Sequence, residues 1–212
     1  MPIGVKKAFG VVAVCFALNL ASPWVVSQQR TLTPGEQSML FDGPTSHTRT
    51  LTLSKERKKL VAAVAVDGAE VDRFAIDPAT RMPTATGRAG LGPLLPYEPQ
   101  RKTYPLHTAG GVVALDYIGA GAVRGLETLK YRADVGECER VVDAERRTGR
   151  VVDEVFTCPG AQYRLAEASK AEAVAAARDD VAMLRGLQVM AVLTRLIGGV
   201  AFLAGLYAYA RR

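Results

Sequence analysis

Serine is absent from this chain between Ser54 and Ser169, and imidazole comes from two residues alone, His47 and His107. A nucleophile elbow needs a serine on a sharp strand-to-helix turn and a histidine to take its proton, so the long middle of the chain excludes that chemistry. The sequence also has no HExxH, no CxxC and no carboxylate-rich calcium loop, which removes the usual zinc and calcium frameworks. Each histidine reads as an exposed loop residue without companions at ligand spacing, and no cofactor or metal is implied. Gly119, Gly121 and Gly125 miss the dinucleotide-binding spacing and lead into a strand, so they read as a turn or bulge and not as a phosphate cradle. The chain therefore reads as non-enzymatic.

Acidic residues are missing from both ends of the chain. Residues 187 to 210, LQVMAVLTRLIGGVAFLAGLYAYA, carry one charge, Arg195. At about 1.5 Å per residue this run crosses a hydrocarbon core of roughly 30 Å as a helix. Arg211 and Arg212 follow it and hold that end in the cytoplasm by the positive-inside bias. At the other end Lys6 and Lys7 precede an uncharged run from 8 to 27, AFGVVAVCFALNLASPWVVS, with Trp24 where an interfacial aromatic belongs. A retained span near 8 to 26 and a signal peptide cleaved after Ser27 both fit this run. The lack of a clean A-x-A site favours the span. Cys15 reads as a packed or lipid-facing apolar side chain.

The same lack of acids accounts for the basic balance. The chain has 27 Lys and Arg against 21 Asp and Glu, a formal charge of +6. Five of those bases, Lys6, Lys7, Arg195, Arg211 and Arg212, lie in or beside the apolar ends, which leaves 22 against 21 over residues 28 to 186. A domain that close to neutral gives no footprint for nucleic acid. The expected organisation is an α+β membrane protein: an N-terminal transmembrane helix (1–27), an extracytoplasmic, mostly antiparallel β-domain (28–162), an Ala-rich helix (163–186) and a C-terminal transmembrane helix with a cytoplasmic tail (187–212). It places a two-pass protein in the plasma membrane with both termini cytoplasmic.

Within the β-domain, TRTLTLS alternates from Arg49, and LVAAVAV and AEVDRFAI flank Asp67-Gly68, a type I′ hairpin signal. VVALDYI (112–118) and ETLKYRADV (127–135) follow. The second sets Leu129, Tyr131 and Ala133 on one face and Thr128, Lys130 and Arg132 on the other. Residues 77 to 100 are too rich in proline and glycine for a regular element. Two readings fit that loop: a wrap whose Leu91, Leu94, Leu95 and Tyr97 cover a sheet edge, or a ligand-binding lid. The basic run Lys55, Arg57, Lys58 and Lys59 reads as a solvated strand end, with contact to anionic lipid or cell-wall polymer as the alternative. From about Tyr163 the alanine-rich texture predicts helix continuing into the terminal span, with Gly186 its weak point.

Cys138 and Cys158 flank two apolar strands joined through Arg147-Thr148-Gly149, read as a three-residue loop with glycine in the left-handed position. If Arg146 faces Arg150, then Val141 faces Val155 and the two sulfurs are directly opposite. On the non-cytoplasmic side of a membrane this predicts a disulfide, with free thiols as the alternative. The polar residues inside the apolar runs are Asn19, Gln188 and Arg195. Counted from the outer ends, Arg195 is eight residues from Leu187 and Asn19 seven from Val26, so antiparallel spans bring the two to similar depth, about 11 to 12 Å in. A guanidinium there needs an acceptor, and pairing with Asn19 is the expectation. The alternative is that Arg195 snorkels toward the outer headgroups or a partner's polar surface. Ala201 and Gly205 form a small-xxx-small pair open to another helix.

Lys102-Thr103-Tyr104-Pro105, the strand pair marked by Tyr117, Gly119, Gly125, Leu126 and Thr128, and the hairpin with Asp143, Thr148 and Gly149 together resemble the actinobacterial porin A (PorA) family. The likeness covers most of the chain and implies a channel in a mycolic-acid envelope. It brings no site residues. Two apolar helices offer no polar lumen, and the strands are too few and short for a closed transmembrane barrel. The function expected is therefore a membrane-anchored cell-envelope protein whose β-domain binds a lipid, a glycan or an integral membrane partner. The alternative is a porin-like channel formed by a homo-oligomer and lined by Gln188, Thr194 and Arg195.

Overall fold

The computed structural model describes residues 3–84 and 88–211. Residues 85–87 of the proline-rich loop and Arg212 of the terminal basic pair lie outside the described residues. The chain divides into two units, one of residues Thr31 to Asp180 and one formed by the residues up to Arg30 together with those from Val181 onward.

In the first unit ten strands among the described residues join one antiparallel sheet. β1 (Gly35–Asp42), β2 (His47–Glu56), β3 (Lys59–Val66) and β4 (Ala69–Ile76) form one meander. β5 (Tyr104–Thr108), β6 (Gly111–Val123), β7 (Leu126–Val135), β8 (Cys138–Glu145), β9 (Val151–Cys158) and β10 (Ala161–Leu165) form a second. The meanders meet where β1 pairs with β10, at Phe41 opposite Leu165 and Asp42 opposite Arg164, which leaves β4 and β5 as the sheet's outer strands.

Alternation places one side of the strands in the sheet's two main apolar clusters. Leu51, Leu60, Ala62, Val64, Phe74 and Ile76 make one buried cluster. Tyr104, Leu115, Leu129, Tyr131, Ala133, Val142, Ala144 and Val151 are among the residues of another. Leu129, Tyr131 and Ala133 thus share the buried side that their spacing predicts. Asp67 and Gly68 both take positive φ, as a type I′ turn requires. Arg57 and Lys58 also do so, at 45° and 72°, so the basic run is the tip of a tight hairpin.

The 77–100 loop does more than cover an edge. It bridges both outer strands, Pro83 antiparallel to Ile76 and Leu91 parallel to Leu106, with Leu91 N donating to the Pro105 carbonyl at 2.7 Å and His107 N to that of Leu91 at 2.9 Å. Leu91 and Leu95 enter the core of β5–β9, and Leu94 packs on that of β2–β4. A loop that satisfies outer-strand groups and buries its leucines is part of the fold, which removes the reason to read it as a mobile lid.

The cysteine hairpin differs from expectation in two ways that offset each other. Its loop has four residues, because Glu145, and not Arg146, faces Arg150: Glu145 N donates to the Arg150 carbonyl at 2.8 Å, and Gly149 N to that of Glu145 at 2.9 Å. The buried Glu145 carboxylate explains the extra residue, since it accepts from Arg147 N, Thr148 N and Thr148 Oγ1. A bulge between Asp143 and Ala144 then shifts the register back, so Val141 does face Val155 and Cys138 and Cys158 are joined with their Cα atoms 4.2 Å apart.

Three short strands, β1, β5 and β10, are not apparent in the sequence reading. β10 replaces the start of the expected Ala-rich helix: Leu165 is 2% exposed and pairs with Phe41, which keeps 161–165 extended. The helix, α2, runs without a break from Glu167 to Ala210. Its residues up to Asp180 belong to the β-domain, where Val174 and Ala177 pack on Leu126 and Val152. Lys170 pairs with Asp153 and Arg150 with Asp180. The other helix, α1, spans Ile3–Gln29.

Candidate functional site

In the second unit α1 and the later part of α2 are each long and apolar enough to cross a membrane, and very little of either apolar stretch is buried. Trp24, Val200 and Leu203 are 65%, 69% and 66% exposed. What α1 turns inward is a heptad series, Ala8, Val12, Cys15, Asn19, Ser22 and Val26, and α2 answers with Ala191, Thr194, Gly198, Ala201 and Gly205. That 3-4 spacing is the seam of two helices packed at a shallow angle, and its small residues let the backbones approach closely. A Cβ at Gly198 would lie 3.1 Å from that of Cys15, and one at Gly205 3.4 Å from that of Ala8. Ala201 and Gly205 therefore serve the chain's own first helix.

One polar cluster interrupts this seam. Arg195 Nε donates to Asn19 Oδ1 at 3.0 Å. Asn19 Nδ2 donates to Thr194 Oγ1 at 2.7 Å and to the Cys15 carbonyl at 3.1 Å. Thr194 Oγ1 in turn lies 3.0 Å from the Met190 carbonyl. Pro23, inside α1, has no N–H to offer the Asn19 carbonyl one turn back. Asn19 and Arg195 thus meet as depth counting predicts, while Gln188 stands exposed two turns before Arg195 and outside the cluster.

The β-domain holds a second charged cluster. Glu154 is completely buried and accepts from Arg49 Nη1 at 2.9 Å, Arg49 Nη2 at 2.5 Å and Arg140 Nε at 2.7 Å. Phe41 lies under the Arg49 guanidinium and Phe156 under that of Arg140. Burial alone would raise the Glu154 carboxyl, but the charges of Arg140 and Arg49 outweigh it and hold it at about 2. Sequence reasoning missed this triad. The signal was parity: Arg49 alternates with Leu51, and Arg140 with Val142 and Ala144, on the core side of their strands.

Arg81 is 7% exposed and fastens the proline-rich loop. Its Nη1 donates to the Thr148 carbonyl at 2.9 Å and to that of Leu95 at 3.2 Å, and its guanidinium lies over the Tyr97 ring. Burial lowers its pKa from the ordinary value. Gly149 completes the clasp, because a Cβ there would sit 2.0 Å from the Pro96 oxygen. Tyr104 and Tyr117 pack edge-on against Tyr131, and Tyr131 donates its hydroxyl to the Gln100 carbonyl. Asp143 accepts from Thr128 and Lys130. Tyr104, Tyr117, Thr128, Asp143 and Gly149 thus pack or hydrogen-bond within the β-domain.

Both histidines are half-buried in strands, contrary to expectation. His47 stacks on Phe41 because its neighbour across the sheet is that ring. In β5, His107 is tied to the proline-rich loop through its backbone N–H, which donates to the Leu91 carbonyl. The chain matches no family model and no curated protein.

Proposed function

We propose that the chain is a two-pass protein of the plasma membrane, both termini cytoplasmic, whose disulfide-bonded β-domain is a non-enzymatic binding module for an envelope lipid, a glycan or an integral membrane protein. The observation that carries this reading is the helix pair, with small residues inside the seam and large apolar side chains outside. Apolar surface so displayed is unfavourable in water and at home in lipid. The bond between Cys138 and Cys158 supports an oxidising compartment for the domain, and Arg211 after the second span supports a cytoplasmic end. A membrane-impermeant maleimide applied to intact cells should label Gln100→Cys. Labelling of that site only after cell rupture would overturn the topology.

The porin-like reading draws on Gln188 and Arg195, both exposed on α2. Its third lining residue, Thr194, is instead 9% exposed and bonded to Asn19. Planar-bilayer recording of the purified chain tests it: unitary conductance lost with Arg195→Leu would establish the channel in place of the binding module.

A further inference from the structure

We infer that Arg195 is a docking point, within the membrane, for a carboxylate carried on a transmembrane helix of a different protein. The inference rests on the two-span reading and goes beyond it by naming the chemistry of the partner.

The hydrogen-bond relay in the seam ends on unused donors. Asn19 Oδ1 takes Arg195 Nε, and the Asn19 amide is engaged by Cys15 and Thr194. Both terminal amino groups of Arg195 meet no acceptor among the described residues, and the side chain is exposed. A guanidinium carries five N–H donors in a planar fork. One is donated to Asn19, and the two terminal amino groups, which match a carboxylate, belong to an exposed side chain.

Its surroundings suit a helix. Val192 and Leu196, beside Arg195, are 49% and 62% exposed. One turn further on, Gly199 has nothing within 4 Å of where a Cβ would stand, so a partner backbone can approach closely beside the charge.

Charge selects the occupant. Neither apolar run, 8 to 27 or 187 to 210, contains Asp or Glu. A second copy would therefore bring another Arg195 and no carboxylate. A lipid phosphate requires the side chain to extend to the headgroups from eight residues inside Leu187, about 12 Å, yet its Nε is bonded to Asn19 at matching depth. An acid within another protein's span fits the charge, the fork and the depth together.

The test uses the full-length chain reconstituted in phosphatidylcholine vesicles, with and without phosphatidylglycerol, together with a polyleucine transmembrane peptide carrying one Asp, one Asn or none at the depth of Arg195. Energy transfer between labelled chain and peptide reads association, and protease protection reads insertion. The Asp peptide should associate about tenfold more tightly than plain polyleucine, the scale of one charge-assisted hydrogen bond. Arg195→Leu, which favours insertion, should abolish the preference. Arg195→Gln, which keeps a donor for Asn19, should reduce it to that of the Asn peptide. A chain that fails to insert overturns the two-span reading and this inference with it. A chain that inserts yet treats all peptides alike overturns this inference alone. So does transfer between chains that excludes the Asp peptide, which would assign the face to a second copy. A preference for phosphatidylglycerol that Arg195→Leu removes, without peptide discrimination, would assign the guanidinium to lipid phosphate.

Discussion

The β-domain and the helix pair each hold arginine in a hydrogen-bonded cluster, and they complete its surroundings to different degrees. Arg49 and Arg140 converge on one fully buried carboxylate and lie over aromatic rings. Arg195 has one neutral amide oxygen and no acid. A buried ion pair closed by several hydrogen bonds is a fixed part of a core, because removal of one member strands the others. A charge left half-satisfied on an exposed helix face is available for a further interaction. The difference separates a charge that organises the fold from one that is open to a partner.

Removing the central acid should have the largest effect. Glu154→Leu leaves two guanidinium groups buried without a counter-charge and should cost about 3 to 5 kcal/mol, read from denaturant unfolding of the full chain in detergent. A loss below about 1 kcal/mol would mean that the triad is as loosely engaged as Arg195. Removal of the disulfide by Cys138→Ala with Cys158→Ala should cost about 3 kcal/mol in the chain-entropy model, read by the same unfolding experiment against the oxidised parent.

Acid pH probes the triad without a mutation. The charges of Arg140 and Arg49 hold the folded pKa of Glu154 at about 2, below its ordinary value of 4.5. Its contribution is therefore fully present above pH 4.5 and is lost as pH falls toward 2. At pH 3 about 2 kcal/mol of it should be gone. The denaturation midpoint of the parent should fall over this range, and Glu154→Gln should lack that component of the slope. The smallest effect belongs to the helices. A double-mutant cycle of Asn19→Leu and Arg195→Leu should give a coupling of about 1 kcal/mol, in the range for hydrogen bonds between membrane helices. Strict additivity in detergent unfolding would show that the observed bond contributes nothing to holding the pair.

The same contrast in surroundings governs how each arginine stands out in the sequence. A lone charge in an apolar run stands out, and antiparallel spans convert residue counting into depth, so Asn19 and Arg195 could be matched. Arg49, Arg140 and Glu154 belong to strands with many charges, where the default reading is a solvated face. Only their parity with buried neighbours marks them. The disulfide was readable because Cys138 and Cys158 close an apolar hairpin, although the loop was read one residue short and the bulge at Asp143 restored the alignment. β1 and β10 escaped because GEQSMLFD and AQYRL have weak apolar alternation. Their place in the sheet depends on each other and on β2 and β9, which local spacing does not encode.

The union of two consecutive meanders has a consequence for the order in which the domain forms. Every pairing within each meander joins strands adjacent in sequence, and among the strand pairings of the described residues that of β1 with β10 requires the chain to return across nearly the whole domain. Local hairpins close quickly, whereas a distant pairing must first overcome the entropy of a long loop. We expect β1 to β4 to gain structure while later strands are still being delivered, and the β1–β10 junction to close last. Pulsed hydrogen exchange during refolding should then show β2 and β3 protected ahead of β10, and simultaneous protection would contradict this order. Until that junction closes, β1 presents an open edge, and a neighbouring nascent chain can supply its β10 there, so domain exchange is the characteristic misfolding hazard of this topology.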